Sequence, residues 1–178
     1  MPALVRLFVD IALHRKGPQD VPASSAVFGV VLLAYLAVGA AVLWPSTGGI
    51  NELFSQLGAE LLLTVVVFGG LLAVTGRGAR AGQTLAAMFG TGVLLSVLAL
   101  PFVWVLARAI SAGTPQPGME IPVLFSTMAL FMLLFASLLV TGHILRHALE
   151  WSYAAGVLAA SAYFALSTAV FRTLFGVA

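Results

Sequence analysis

Two histidines and a glutamate recur at helical spacing in the C-terminal third of the chain. His143, His147 and Glu150 stand at i, i+4 and i+7, so a helix over residues 141–152 would place them on one face. Imidazoles and carboxylates are ligands for divalent metal ions. Ile144 stands where a zincin motif has its glutamate. The sequence leaves a metal site open, but it favours a membrane-boundary segment whose polar groups face water or headgroups.

A second candidate site consists of Glu60 and Arg108, which lie at the edges of uncharged apolar stretches. Ionisable residues inside a bilayer are costly and often functional. We expect the two side chains to approach each other, directly or through water, near the outer membrane boundary. Straight helices would offset them by about 15 Å, so direct contact requires tilt, a kink or a long arginine reach. A structural ion pair or snorkelling to the interface is the alternative, and the sequence favours it.

No pattern of catalytic residues is present in the sequence. The chain contains no cysteine, which excludes thiolate nucleophiles and thiolate metal sites. It also shows no nucleophile–base–acid set and no phosphate-binding glycine loop between a strand and a helix. We therefore expect a protein without enzymatic activity and without a cofactor.

The composition assigns the chain to the integral membrane proteins. Of its 178 residues, 61% are hydrophobic and 8% are charged, and the mean hydropathy is +1.11. A soluble domain carries about 25% charged residues, so this chain has too few charges to solvate a globular surface. The net charge is only +2, which gives no basic patch for nucleic acid.

The hydrophobic pattern predicts an all-α fold with five transmembrane helices in one membrane domain, residues 23–178. A hairpin joined by the turn GRGARAG, residues 76–82, is its clearest part. The predicted spans cover residues 23–44, 56–75, 83–107, 121–142 and 149–171.

An amphipathic helix is predicted before the first span, within an N-terminal region of residues 1–22. Arg6, Asp10 and His14 form one polar stripe over residues 2–16, a stretch too short to cross a bilayer. The helix would lie in the cytoplasmic interface or pack on the cytoplasmic ends of the spans, and both interpretations stay open.

The distribution of basic residues predicts the orientation. Six of them (Arg6, Arg15, Lys16, Arg77, Arg80 and Arg146) fall on one side of the five predicted spans, and Arg108 and Arg172 on the other. The richer side is expected to be cytoplasmic. The N-terminus is then cytoplasmic and the C-terminus periplasmic, in an inner membrane.

Small residues recur at intervals of four in two predicted spans. Such rows let helices approach closely in a membrane, and we expect internal packing rather than a dimer face. The rows are Gly82, Ala86 and Gly90 in the third span, and Ala148, Ser152, Gly156 and Ala160 in the fifth.

Several of these features together resemble the Yip (Ypt-interacting protein) membrane domain family, in a bacterial-type form. The resemblance rests on Gly69-Gly70, the segment GRGARAGQTLAAMFGTG, Leu100-Pro101 and the segment HILRHALEWSYAAG. It implies a five-span, scaffold-like protein with a cytoplasmic N-terminus. Eukaryotic members use a longer N-terminal region in contacts with small GTPases, and the short region here departs from that pattern.

Two functions are compatible with these observations. The first is a non-enzymatic protein that acts in the interaction or assembly of a membrane complex, with the bilayer, other membrane subunits or a second copy as partners. The alternative is a small transporter or lipid-handling protein with a polar path near Glu60 and Arg108. A transporter should have a hydrophilic cavity at mid-membrane, whereas an assembly protein should have a filled core.

Overall fold

The computed structural model describes residues 2–112 and 118–176. All regular elements in these ranges are helical, and five helical segments are long and apolar enough to cross a membrane. The prediction of an all-α, five-span protein is confirmed. The helices are α1 (Pro2–Ala12), α2 (Ser25–Leu43), α3 (Ile50–Thr64), α4 (Gly70–Val74), α5 (Ala81–Ser111), α6 (Glu120–Leu149) and α7 (Tyr153–Phe175).

The second span begins earlier than the sequence predicts. Its first helix, α3, starts at Ile50 rather than near residue 56. Glu52 lies in the first turn and accepts a hydrogen bond from the Gly48 amide at 2.7 Å, and an acidic residue at this position favours a helix N-terminus. As a result, Glu60 lies about 15 Å along the span from its start, near the middle rather than in the outer turns.

A π-helical turn, Val65–Gly69, joins α3 to α4 without interrupting the second span. Such turns insert one extra residue into the helix and occur frequently at functional sites. Here the turn directly follows Thr64, one helical turn after Glu60. The irregular part of the span therefore adjoins Glu60, a half-buried acidic residue.

The boundary between the fourth and fifth spans also differs from the prediction. Helix α6 continues to Leu149, so the segment after residue 142 is helical and largely buried rather than a membrane-boundary connection. Glu150 ends the helix in a left-handed conformation, with φ of 56°. Ser152 then caps α7 by accepting a hydrogen bond from the Ala155 amide at 3.2 Å. Ala148 thus belongs to α6, which corrects the predicted small-residue row of the fifth span.

Close helix contacts use some of the predicted small residues but not all. Gly156 and Ala160 are buried on α7, and a Cβ at Gly156 would collide with the carbonyl oxygen of Gly142 on α6. On α5, Ala86 is buried. The prediction that Gly82 is a close-packing position is wrong, because this residue is exposed and a Cβ there would have no neighbour within 4 Å.

Helix α1 packs against α5 and α6 within the helical bundle. Phe8 and Ile11 are buried, and the Phe8 ring lies so close to Gly90 that a Cβ there would collide with it. Gly90 is about 13 Å along α5 from Ala81, so α1 reaches below the ends of the spans. This arrangement corresponds to packing on the spans, the second of the two interpretations that the sequence allows for α1.

Candidate functional site

A half-open cavity of about 250 Å³, lined by both polar and apolar side chains, lies between the membrane-spanning helices. Its walls come from α2, α3, the π turn, α5, α6 and α7. The polar side chains that line it are Tyr35, Glu60, Thr64, Ser96, Ser137, Thr141 and Tyr163. Three phenylalanine rings, of Phe68, Phe89 and Phe164, also line the cavity.

Among the residues that the structure describes, Glu60 is the only acidic one that lines the cavity, and one tyrosine is bonded to it. The Tyr35 hydroxyl on α2 donates a hydrogen bond of 2.6 Å to Glu60 Oε1. The Tyr35 ring in turn packs on Phe89 of α5, with ring centroids 4.8 Å apart. Glu60 is therefore fixed by contacts that join three spans.

The second carboxylate oxygen of Glu60, Oε2, has no protein partner among the described residues. None of the hydrogen bonds between described residues reaches Oε2, and no described salt bridge involves Glu60. Every fully buried side-chain oxygen or nitrogen in the described part has a partner, so Oε2 is not fully buried. Glu60 thus lines the cavity with one carboxylate oxygen that is bonded to no protein group in the described part of the chain.

A second pair of hydroxyls lies beside Glu60. Thr64 donates to the Glu60 backbone carbonyl at 2.8 Å, and its oxygen is 2.7 Å from the Tyr163 hydroxyl. Because the Thr64 proton points at the carbonyl, Tyr163 acts as the donor in the second bond. The Tyr163 ring also packs on Phe68 of the π turn, at 4.6 Å between centroids. These contacts link α7 to the irregular part of the second span.

Arg108 does not belong to this cavity. It is exposed in the last turn of α5, about 18 Å along the helix from Ser96, which lines the cavity. Within the described residues no salt bridge joins Arg108 to Glu60, whose oxygen is bonded to Tyr35 instead. The direct contact expected from the sequence is corrected, because Glu60 lies deeper than predicted. An approach through water stays a prediction.

The candidate metal residues are divided between two clusters. The rings of His143 and His147 do meet, edge to face with centroids 4.7 Å apart, but the third ring beside them is His14, 4.4 Å from His143. Glu150 is bonded to arginines instead. Among residues 2–112 and 118–176, no three histidine or acidic side chains are arranged to hold a metal ion. The predicted ligand set of His143, His147 and Glu150 is not assembled.

The histidines attach the N-terminal segment to α6. His143 Nε2 donates to the Lys16 carbonyl at 2.8 Å, and His14 Nε2 donates to the Leu139 carbonyl at 3.3 Å. His143 is 5% exposed, so its bond to Lys16 satisfies a buried polar group. The contacts support a structural role for these two rings.

Glu150, at the C-terminal end of α6, holds the turn between the second and third spans by ion pairs. Arg77 and Arg80 bind its two carboxylate oxygens at 2.8 and 2.9 Å. The hydrogen bond from Arg80 and the positive charges of both arginines lower the pKa of the Glu150 carboxyl. The Glu150 carboxylate therefore stays ionised at neutral pH, and its ion pairs with the two arginines are lost only in acid, when the carboxyl group is protonated.

Sequence reasoning finds Glu60 but misses the hydroxyl groups around it. Tyr35 and Tyr163 lie well inside their spans, whereas tyrosine in membrane helices is enriched at the interfaces. Two tyrosines at mid-span are thus a signal that could have located the cavity. Ser137 and Thr141 give no comparable signal, because small hydroxyl residues are common in helix packing.

Comparison with protein-family models, with curated proteins and with solved structures finds no match for this chain. The apolar spans imply a lipid environment. A function beyond that must be inferred from the geometry of the cavity and of the charged groups.

Proposed function

We propose that the protein is a small transporter that binds an organic cation in the cavity around Glu60. The observation that carries the proposal is Glu60, an acidic residue at mid-span that lines the cavity and has no basic side chain bonded to it in the described part of the chain. A buried carboxylate is stabilised by a counter-charge, and a ligand cation would supply one.

The walls of the cavity suit a cation with a small apolar body. Tyr35, Phe89 and Tyr163 offer aromatic rings, whose faces attract cations. Ser137 and Thr141 on α6 supply hydroxyls for further hydrogen bonds. A volume of about 250 Å³ is large enough for a small primary amine.

Transport, rather than binding alone, is supported by where the cavity lies. Substrate sites of membrane transporters lie near mid-bilayer, and Glu60 lies at mid-span next to the π turn Val65–Gly69, a kind of turn that is frequent at functional sites. Arg108 takes no part in this proposal, because it lies outside the cavity.

A binding assay with three matched solutes tests this function. Butylammonium, 1-pentanol and butyrate are similar in size and differ in charge, and each can be titrated into the protein in neutral detergent by calorimetry. We expect saturable binding of butylammonium and none of butyrate. Binding of butyrate in preference to butylammonium would refute a cation site, and uptake of labelled amine into proteoliposomes would extend the test to transport.

An interaction or assembly role is the second candidate, and the exposed face of α6 favours it. Large apolar side chains follow this face at helical spacing, and they could contact another membrane subunit as well as lipid. They are Ile121, Leu124, Phe125, Met128, Met132 and Phe135. Co-purification of a second subunit in stoichiometric amount from mild detergent would support this role. The resemblance to the Yip family is a further argument for proposing it.

The proposed orientation places the N-terminus in the cytoplasm and the C-terminus in the periplasm of an inner membrane. It rests on the excess of basic residues on the side of the turn 76–82. We expect a periplasmic reporter fused after Ala178 to be active and the same reporter inserted in that turn to be inactive. The opposite pattern would reverse the orientation.

A further inference from the structure

A second polar cavity, of about 310 Å³, lies where the N-terminal segment meets the start of α5 and the end of α6. Its polar lining consists of Gln19, Arg80, Gln83, Thr84 and His147. None of these residues lines the Glu60 cavity. This second cavity is called the turn-side pocket below, because Arg80 belongs to the turn between the second and third spans.

We propose that the turn-side pocket binds a phosphate oxyanion, carried by the headgroup of an anionic phospholipid or by free phosphate. The first argument is an excess of positive charge. Arg77 and Arg80 share the single carboxylate of Glu150, so that this cluster of three charges keeps one net positive charge. Only Arg80 lines the pocket.

The second argument is that donors in the pocket remain available. Within the described residues, Arg80 uses only Nη1, toward Glu150 and the Ala148 carbonyl, which leaves Nη2 and Nε without a protein acceptor. The side chains of Gln19 and His147 donate no hydrogen bond to any described residue. Guanidinium, imidazole and amide N–H groups are the donors that proteins use for phosphate oxygens.

The pocket is also held in shape by its neighbours. Gln83 donates to the Val21 carbonyl at 2.7 Å, and Thr84 donates to the Arg80 carbonyl at 2.8 Å. The nearby carboxylate of Asp20 accepts from the Gly17 amide at 2.8 Å. The bond from Gln83 to the Val21 carbonyl therefore attaches the N-terminal side of the pocket to α5.

Its place in the fold is the third argument. The pocket lies at the first turn of the 31-residue helix α5, whose dipole favours an anion. It is also on the side of the protein with the excess of basic residues, and basic pockets between membrane helices on that side can bind anionic headgroups.

Native mass spectrometry in neutral detergent tests the proposal by counting bound molecules. The probes are dioctanoyl phosphatidylglycerol, dioctanoyl phosphatidylcholine and inorganic phosphate. We expect one saturable phosphatidylglycerol, bound at least tenfold more tightly than phosphatidylcholine. Displacement of the lipid by millimolar phosphate would assign the pocket to the free ion, and no displacement would assign it to the headgroup. The proposal would be overturned if neither phosphatidylglycerol nor inorganic phosphate showed saturable binding.

Two arginines provide a matched pair of variants. Arg80→Gln should weaken phosphatidylglycerol binding at least tenfold, because it removes the free guanidinium donors of the pocket. Arg77→Gln removes the same charge and a bond to the same carboxylate outside the pocket, so it should weaken binding less than threefold. Equal losses in the two variants would show a general charge effect and refute a built site. Because Arg80→Gln also removes a bond that holds the turn, His147→Phe gives a second test: it keeps an aromatic ring but removes the imidazole donor, and a loss of binding is also expected.

Discussion

We expect Glu60→Gln to weaken binding of butylammonium at least about thirtyfold while the protein remains folded. The change replaces the carboxylate that faces the cavity with a neutral amide of nearly the same shape. Truncating one partner of a buried charge pair costs about 2–5 kcal/mol, and this range sets the expected minimum. Calorimetric titration of the variant and the wild type measures the change.

Glu52→Gln is the matched control, because it makes the same substitution on the same helix. Glu52 lies in the first turn of α3, where it bonds the Gly48 amide and the Gln56 side chain away from the cavity. Its replacement should leave butylammonium affinity within about threefold of the wild type, a change of less than 1 kcal/mol. Equal affinity in wild type and Glu60→Gln would refute the role of Glu60 as the counter-charge.

The second large effect concerns the contact between α6 and α7. We expect Gly156→Ala to lower the free energy of unfolding by about 3 kcal/mol, the upper end for overpacking, because its Cβ would collide with a backbone atom, the Gly142 carbonyl oxygen. The nearest alternative space is also filled, since that Cβ would lie 3.3 Å from the Arg146 amide nitrogen. Thermal unfolding in detergent should show a decrease on the order of 10 °C.

Gly58→Ala is the control for this stability effect. Gly58 lies on α3, is exposed, and a Cβ there would have no neighbour within 4 Å. Alanine exceeds glycine in helix propensity by about 1 kcal/mol, so the midpoint should stay the same or rise. Similar decreases for both variants would show that the α6–α7 contact is not specially tight.

The number and type of the spans could be predicted because composition alone determines them. Long uncharged stretches have few alternatives to a membrane helix, and all five were found. The residues at which the spans begin and end were less predictable. The last turns of α6 contain His143, a polar residue that is typical of a membrane boundary. Its ring can be buried there because it donates a hydrogen bond to the Lys16 carbonyl. That partner lies 127 residues away in the sequence.

The candidate site was predictable in one residue and not in its partners. Glu60 stands out in an apolar sequence because an ionisable group there is costly. Its assigned partner, Arg108, followed from charge alone, whereas the structure pairs Glu60 with Tyr35 on another helix. Helical spacing relates residues on one helix, so it cannot reveal which side chains on neighbouring helices meet. The same reason explains why Glu150 does not join the two histidines as predicted. It is bonded instead to Arg77 and Arg80, which lie in a turn far away in the sequence.

The most direct test of a polar, cation-binding cavity is thiol labelling, because the chain contains no cysteine of its own. Ser137→Cys places one thiol in the cavity, and Ser126→Cys places one on the same helix at a position that is 2% exposed and outside it. We predict that 2-aminoethyl methanethiosulfonate labels the first variant faster than its sulfonatoethyl analogue, that butylammonium slows this labelling, and that the second variant stays unlabelled. Faster labelling of Ser137→Cys by the anionic reagent, or no protection by butylammonium, would contradict a cation site at Glu60.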